Sequence, residues 1–174
     1  DSLKVLIIAG GLTHERDVSV RSGRRVANSL INQGFDAKVV DFDQNLPAES
    51  SAFGPDVVWP LVHGSLGEDG SLQSLLEGVG VPYVGSTPAQ AMLASNKPTA
   101  KALVGAAGLD TPGWIALPQL LFRQLGAHNV LGMINSSLTF PLVVKPSSGG
   151  SALGMSRAQD SSDLRSAMVD AFSY

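Results

Sequence analysis

The sequence predicts an α/β protein whose N-terminal region is a doubly wound, mainly parallel sheet. Three observations carry this. The run Lys4–Ala9 is short, continuously apolar and ends on Gly10-Gly11, as a strand buried on both faces does. A helical pattern follows, and two further apolar runs come after it, so that the order reads strand, helix, strand, loop, strand. Beyond about residue 95 the organisation changes.

In the helical pattern of residues 18–33, Val26, Ala27, Leu30 and Ile31 fall at helical spacing, and Gly34 stands where a helix C-terminus favours a left-handed residue. Asp36–Asp41 and residues 56–62 read as the second and third strands. Ser71–Val79 reads as a short helix, because Leu72, Leu75, Leu76 and Val79 recur three and four apart. Residues 82–84 read as a short strand. Thr87-Pro88 and Asn96-Lys97-Pro98 each place a capping side chain beside a proline that suits a first helical turn, and the second of these helices should run to about Ala107. The Asp-Thr-Pro-Gly segment within residues 108–113 breaks the pattern. A domain boundary is expected between residues 95 and 111, and is set here at 103/104.

In the second region Trp114-Ile-Ala-Leu117 is a strand candidate, and residues 118–134 are helical or mixed, interrupted by Gly126 and Gly132. Residues 141–146 form an apolar strand and 147–154 a loop of small residues. Residues 155–157 return as a strand, giving a hairpin. Residues 162–174 start on a capping-type serine and carry Leu164, Ala167, Met168, Ala171 and Phe172 on one helical face. No repeat with a period of 20 to 50 residues occurs.

Composition narrows the function. The 174 residues carry a net charge of −3, and 44% are hydrophobic. A balance of that sign, without clustered basic residues, draws neither nucleic acid nor an anionic membrane surface. The absence of cysteine removes disulfides and thiolate metal sites and fits a cytoplasmic location. No stretch approaches the length of a membrane span, and Lys4–Ala9 is too short for a signal-peptide core, so a soluble protein is expected. Three scattered histidines, His14, His63 and His128, give zinc little support. A serine-hydrolase elbow, a Walker loop and a Gly-x-Gly-x-x-Gly turn are all missing.

Three loops could carry chemistry. Residues 10–19 place Glu15 beyond the carboxyl end of the first strand, where open α/β sheets bind ligands. The competing reading makes Glu15 a first-turn acid paired with Arg16. His63-Gly-Ser-Leu-Gly-Glu-Asp-Gly70 follows the third strand, so His63 emerges at the same sheet edge; it is either a hydrogen-bonded structural residue or part of a site. Glu68 and Asp69 suit the start of the next helix, and Asp69 reads as its cap. Finally, Lys145-Pro-Ser-Ser-Gly-Gly-Ser-Ala-Leu-Gly154 joins a lysine at a strand end to hydroxyls and glycines. That composition suits phosphate, whose oxygens accept from unobstructed backbone N–H groups, or else an incidental hairpin tip. Lys97, just inside a helix start, is either solvated or faces an anion.

Together these loops resemble the D-alanine–D-alanine ligases of the ATP-grasp superfamily. Four pieces match in register: Gly10-Gly11 with Glu15-Arg16-Asp17-Val18-Ser19; His63-Gly64 with Gly67-Glu68-Asp69-Gly70; residues 83–86 followed by Asn96-Lys97; and Lys145-Pro146-Ser147 with Gly150-Ser151 and Gly154-Met155. The resemblance implies a Rossmann-like, pre-ATP-grasp substrate domain over residues 1–103 and the first part of an α+β ATP-grasp domain over 104–174. It implies that ATP phosphorylates one D-alanine and that the amine of a second displaces the phosphate, for peptidoglycan precursors. By the same resemblance Glu15, Val18, His63 and Ser151 would face D-alanine, with Glu15, His63 and Ser151 at the chemistry. Lys97, Lys145, Ser147, Gly149, Gly150 and Ser151 would hold ATP. The ligands of Mg2+ or Mn2+ are expected beyond Tyr174, so the 174-residue chain alone should be inactive. A homodimer is also implied. A D-alanine–D-lactate or other carboxylate-amine ligase, and a noncatalytic binding module of ligase-like fold, are the alternatives.

Overall fold

A computed structural model of the protein describes residues 2–174. The chain forms two compact units, Asp1–Ser95 and Asn96–Tyr174. The division falls before the helix that begins at Lys97, whereas a boundary at 103/104 would cut that helix.

The first unit contains β1 (Lys4–Ala9), α1 (Arg16–Asn32), β2 (Asp36–Asp41), α2 (Leu46–Phe53), β3 (Val57–Pro60), α3 (Ser65–Glu68), α4 (Ser71–Val79) and α5 (Pro88–Ser95). Its sheet has the order β2-β1-β3, and both pairings are parallel. The central strand is covered on both sides, which is the doubly wound arrangement expected. Because alternate residues of a strand face opposite ways, Val5 and Ile7 pack with Ala27 of α1. Leu6 and Ile8 pack on the other side with Leu46 of α2 and Leu72 and Leu76 of α4. A continuous apolar run was therefore the right signature for β1.

Three local readings need correction. Residues 43–53, read as loop, contain α2; its apolar residues form no stripe, and its ends are marked instead by Pro47 in the first turn and by Gly54, whose N–H closes on Ser50 O at 2.9 Å. Residues 65–68, also read as loop, form the single turn α3. Residues 82–84 contribute one parallel bridge, Val58 to Tyr83, rather than a strand. The expected start of α5 is well formed. Thr87 Oγ1 accepts from Gln90 N while Gln90 Oε1 accepts from Thr87 N, a reciprocal cap.

The second unit contains α6 (Lys97–Ala106), α7 (Gln119–Leu125), α8 (Ala127–Ser137), β4 (Leu142–Val144), β5 (Ser156–Ala158) and α9 (Leu164–Ala171). The two strands pair antiparallel, and Val130, Ile134, Ala158 and Leu164 form the core between hairpin and helices. Asn96 caps α6 as expected, its Oδ1 accepting from Thr99 N at 3.0 Å. Residues 114–117 are not a strand: they have the composition of one but no ladder partner among the described residues. The cap residue of α9 is Asp163, not Ser162, whose hydroxyl instead donates to Asp160 at 2.6 Å. Among the described residues no helix is long and apolar enough to cross a membrane.

Candidate functional site

The carboxyl edge of the first unit's sheet is built around Gly10 and Gly11. Both have positive φ, 91° and 81°, and a side chain on Gly10 would collide with Asp41. Glycine is therefore required where the chain turns out of β1. The turn is fastened on two sides. Gly10 N–H donates to Ser19 Oγ at 2.8 Å, and that hydroxyl donates on to Leu61 O at 2.5 Å, tying β1, α1 and the end of β3 through a wholly buried serine. Gly11 N–H donates to Asp41 Oδ1 at 3.0 Å, and its carbonyl accepts from Arg16 Nη1 at 3.1 Å.

Arg16 and Asp41 also form a bidentate ion pair with each other. The Arg16 hydrogen bond, with help from the backbone N–H of Gly11, holds the Asp41 carboxyl down at about 2. Asp41 in turn raises Arg16 above its ordinary value. Arg16 is thus a structural partner of Asp41, and Glu15 is not its mate.

Glu15 is the N-cap residue of α1 but makes no side-chain cap bond. It is 5% exposed. Its carboxylate has no hydrogen-bond or ion-pair partner among the described residues. The carboxylate oxygens still reach solvent, because among the described residues Gln73 Oε1 is the fully buried side-chain atom left without a hydrogen bond, so Glu15 presents an acceptor that no part of its own unit takes up. A methyl group built on Gly64 would stand 3.0 Å from Glu15 Oε2, which places the loop after β3 directly against this carboxylate.

His63 belongs to that loop. Its carbonyl accepts from Thr13 Oγ1 at 3.0 Å, its Nε2 lies 3.2 Å from Ser22 Oγ, and its Nδ1 lies 3.6 Å from Glu68 Oε1. The structure therefore brings Glu15 and His63 together, as their positions at strand ends imply. Val18 sits half-buried in the first turn of α1. Asp69 does not cap α4 as its place in the sequence suggests: the cap position is Gly70, in the left-handed conformation, while Asp69 ends α3 and its Oδ1 accepts from Ser71 N at 2.9 Å across the turn between the two helices. Gly67 keeps the loop short, since a Cβ there would overlap the Val62 carbonyl.

The second unit assembles Lys97, Ser147 and Gly149. Lys97 N–H donates to Ser147 O at 2.8 Å and Lys97 Nζ to Gly149 O at 2.7 Å, so the start of α6 holds the loop that follows β4. Lys145, Ser147, Gly149 and Ser151 are exposed, and Gly150 is half-buried. Gly149, Ser151 and Ala152 all have positive φ. The loop is a run of tight turns closed by Leu153 N to Gly150 O and Met155 N to Ala152 O.

Sequence reasoning takes Ser19 only as part of a motif and Asp41 only as a strand end, and does not single out Ser22. Glu15, Ser19 and Ser22 are spaced i, i+4, i+7, one helical face, and Asp41 ends a strand at the same sheet edge. Those were the available signals.

The chain is similar to known proteins in sequence and in fold. A family model described as D-ala D-ala ligase N-terminus matches residues 43–86, and one described as D-ala D-ala ligase C-terminus matches residues 103–174. The chain is 38% identical over 173 residues to a D-alanine--D-alanine ligase of Citrifermentans bemidjiense, covering 98% of this chain and 52% of that protein. It superposes on the crystal structure of D-alanine--D-alanine ligase from Bacillus anthracis with a TM-score of 0.77 at 30% identity, covering 99% of this chain and 54% of that one. The same enzyme complexed with ATP gives 0.77 at 28% identity, covering 99% and 55%. The chain spans about half the length of the curated relatives it matches.

Proposed function

The chain belongs to the D-alanine–D-alanine ligase family, and on that premise we propose that the whole protein joins two D-alanines at the expense of ATP, supplying peptidoglycan precursors in the cytoplasm. The observation that carries this reading is Glu15, a largely buried residue at the carboxyl edge of a parallel sheet whose carboxylate is left open to a ligand by its neighbours. An amino-acid ammonium is the ligand that such a carboxylate suits.

In this reading Glu15 holds the ammonium of the first D-alanine, Val18 lines its pocket and His63 stands beside the reacting carboxyl group. Ser151 orients the substrate through its hydroxyl. The loop 147–154 closes over ATP: Lys97 and Lys145 supply positive charge to the phosphates, Ser147 its hydroxyl, and Gly149 and Gly150 unobstructed backbone N–H groups. The terminal phosphoryl group of ATP passes to a carboxylate oxygen of the first D-alanine, releasing ADP. The amine of the second attacks the acyl carbon, a C–N bond forms, the C–O bond to phosphate breaks and the amine loses a proton. The protein's contribution is positioning and charge neutralisation, with no covalent enzyme intermediate. The first unit serves as the substrate domain and the second begins the ATP-grasp domain, in a protein that acts as a homodimer.

A divalent cation would neutralise phosphate charge in such a reaction. Among the described residues no group of three or more His, Asp or Glu side chains is arranged to hold one, so no residue of this chain is assigned to magnesium or manganese and no step is derived through it.

The test is phosphate release by the full-length protein with D-alanine, D-lactate and other acceptors. Glu15→Gln should lower the rate with D-alanine about tenfold to a hundredfold, the equivalent of roughly 1.5–3 kcal/mol for a charge-assisted bond. Unchanged kinetics would remove Glu15 from the site.

A further inference from the structure

We propose that Ser22 and Glu68 are positioning residues that fix the orientation and the tautomer of the His63 imidazole. The inference deepens the ligase reading and rests on it for its kinetic consequence, though not for its geometry. Ser22 lies on α1 two turns beyond Glu15, and its Oγ is 3.2 Å from His63 Nε2. Glu68 lies on α3 with Oε1 3.6 Å from His63 Nδ1. Thr13 Oγ1 donates to the His63 carbonyl at 3.0 Å. Both ring nitrogens and the backbone of one residue are therefore engaged, each from a different segment of the chain.

The chemistry of the two neighbours sets the direction of the protons. A separation of 3.6 Å is longer than a hydrogen bond, so Glu68 acts on the ring as a nearby negative charge rather than as a direct acceptor. That charge attracts an N–H and repels a lone pair, which places the proton of the neutral imidazole on Nδ1. Nε2 is then an acceptor, and the Ser22 hydroxyl donates into it. With the opposite tautomer the Nδ1 lone pair would face the carboxylate. The order is Ser22 O–H to Nε2, then Nδ1–H toward Glu68. A ring held at both ends does not have to be ordered when substrate binds, so losing either neighbour weakens the first D-alanine's binding more than it slows the chemical step.

The experiment is 15N NMR of the full-length protein labelled at histidine, at about pH 9, where an ordinary imidazole is neutral. In the parent protein His63 should show a protonated-type Nδ1 and an unprotonated-type Nε2. Ser22→Ala and Glu68→Gln should each draw the two resonances together as tautomers mix. Ser22→Thr keeps the hydroxyl and should restore the parent pattern. In parallel, KM for D-alanine should rise roughly two- to tenfold in Ser22→Ala with kcat little changed, and return in Ser22→Thr. A parent His63 protonated on Nε2, or resonances that do not move in Ser22→Ala and Glu68→Gln, overturns the proposal even if the protein ligates D-alanine. Resonances that move as expected in a protein that releases no phosphate with D-alanine sustain the positioning role and overturn the ligase reading instead.

Discussion

Residues 10–15 and residues 147–154 are both glycine-containing loops at strand ends, yet the first is bonded into the core of its unit and the second mostly to itself. In the first, the buried Ser19 and the Asp41 carboxylate take up the N–H groups of Gly10 and Gly11, so three strands and a helix converge on the turn. In the second, the turns close over short spans, most residues are exposed, and Lys97 supplies the longer-range hydrogen bonds. The difference follows from what each is proposed to bind. A small amino acid gains affinity from groups already in place, because little ordering remains to be done. A loop that closes over a nucleotide has to exchange its resting bonds for new ones, and bonds that stay outside the core can be exchanged without disturbing it.

That comparison can be broken at its strongest point. Gly67→Ala would drive a Cβ into the Val62 carbonyl in the wall of the first site. Backbone cannot yield there as a flexible side chain would, so stability in denaturant titrations should fall by about 3 kcal/mol or more. A loss below about 1 kcal/mol would show that the first cluster is as adaptable as the second.

Acid titration probes the same cluster more gently. Asp41 sits at about 2 in the folded chain against an ordinary 3.8, so it contributes stability fully above about 3.8, and that contribution is lost as pH falls through about 2. In Asp41→Asn, melting temperature should be lower than the parent's at neutral pH, and the gap should close over that acid window. A constant gap would mean that the Arg16 pair does not supply the difference.

The smallest effect belongs to the second loop and has the opposite sign. Ala152 is held at φ 58°, a conformation costing a non-glycine residue about 1–2 kcal/mol. Ala152→Gly removes that strain but increases the entropy of the unfolded chain, so a net stabilisation below about 1 kcal/mol is expected. Destabilisation would show that the methyl group packs in the resting loop and that this loop too is built into its unit.

How far the sequence could be read depended on whether the deciding contact was local. The apolar run of β1 and the cap at Asn96 were legible because each is a property of a few adjacent residues. Helix α2 lacked an apolar stripe and was missed, although Pro47 and Gly54 mark its ends. Trp114-Ile-Ala-Leu117 looked like a strand, but a strand exists only where another lies beside it. Ser162 and Asp163 are both capping types, and nothing local ranks one above the other.

The same division holds at the site. Residue order and spacing alone determined that Glu15 and His63 would leave the sheet at one edge, because parallel strands place every strand end of one kind on one side. Only the tertiary structure decided that Glu15 is largely buried with its carboxylate left open, that Arg16 turns instead to Asp41, and that Ser22 and Glu68 bracket the His63 ring. Arg16 and Asp41 are 25 residues apart, and Ser22 and His63 are 41 apart. Pairings over such distances are set by how helices pack on the sheet, which no local pattern encodes.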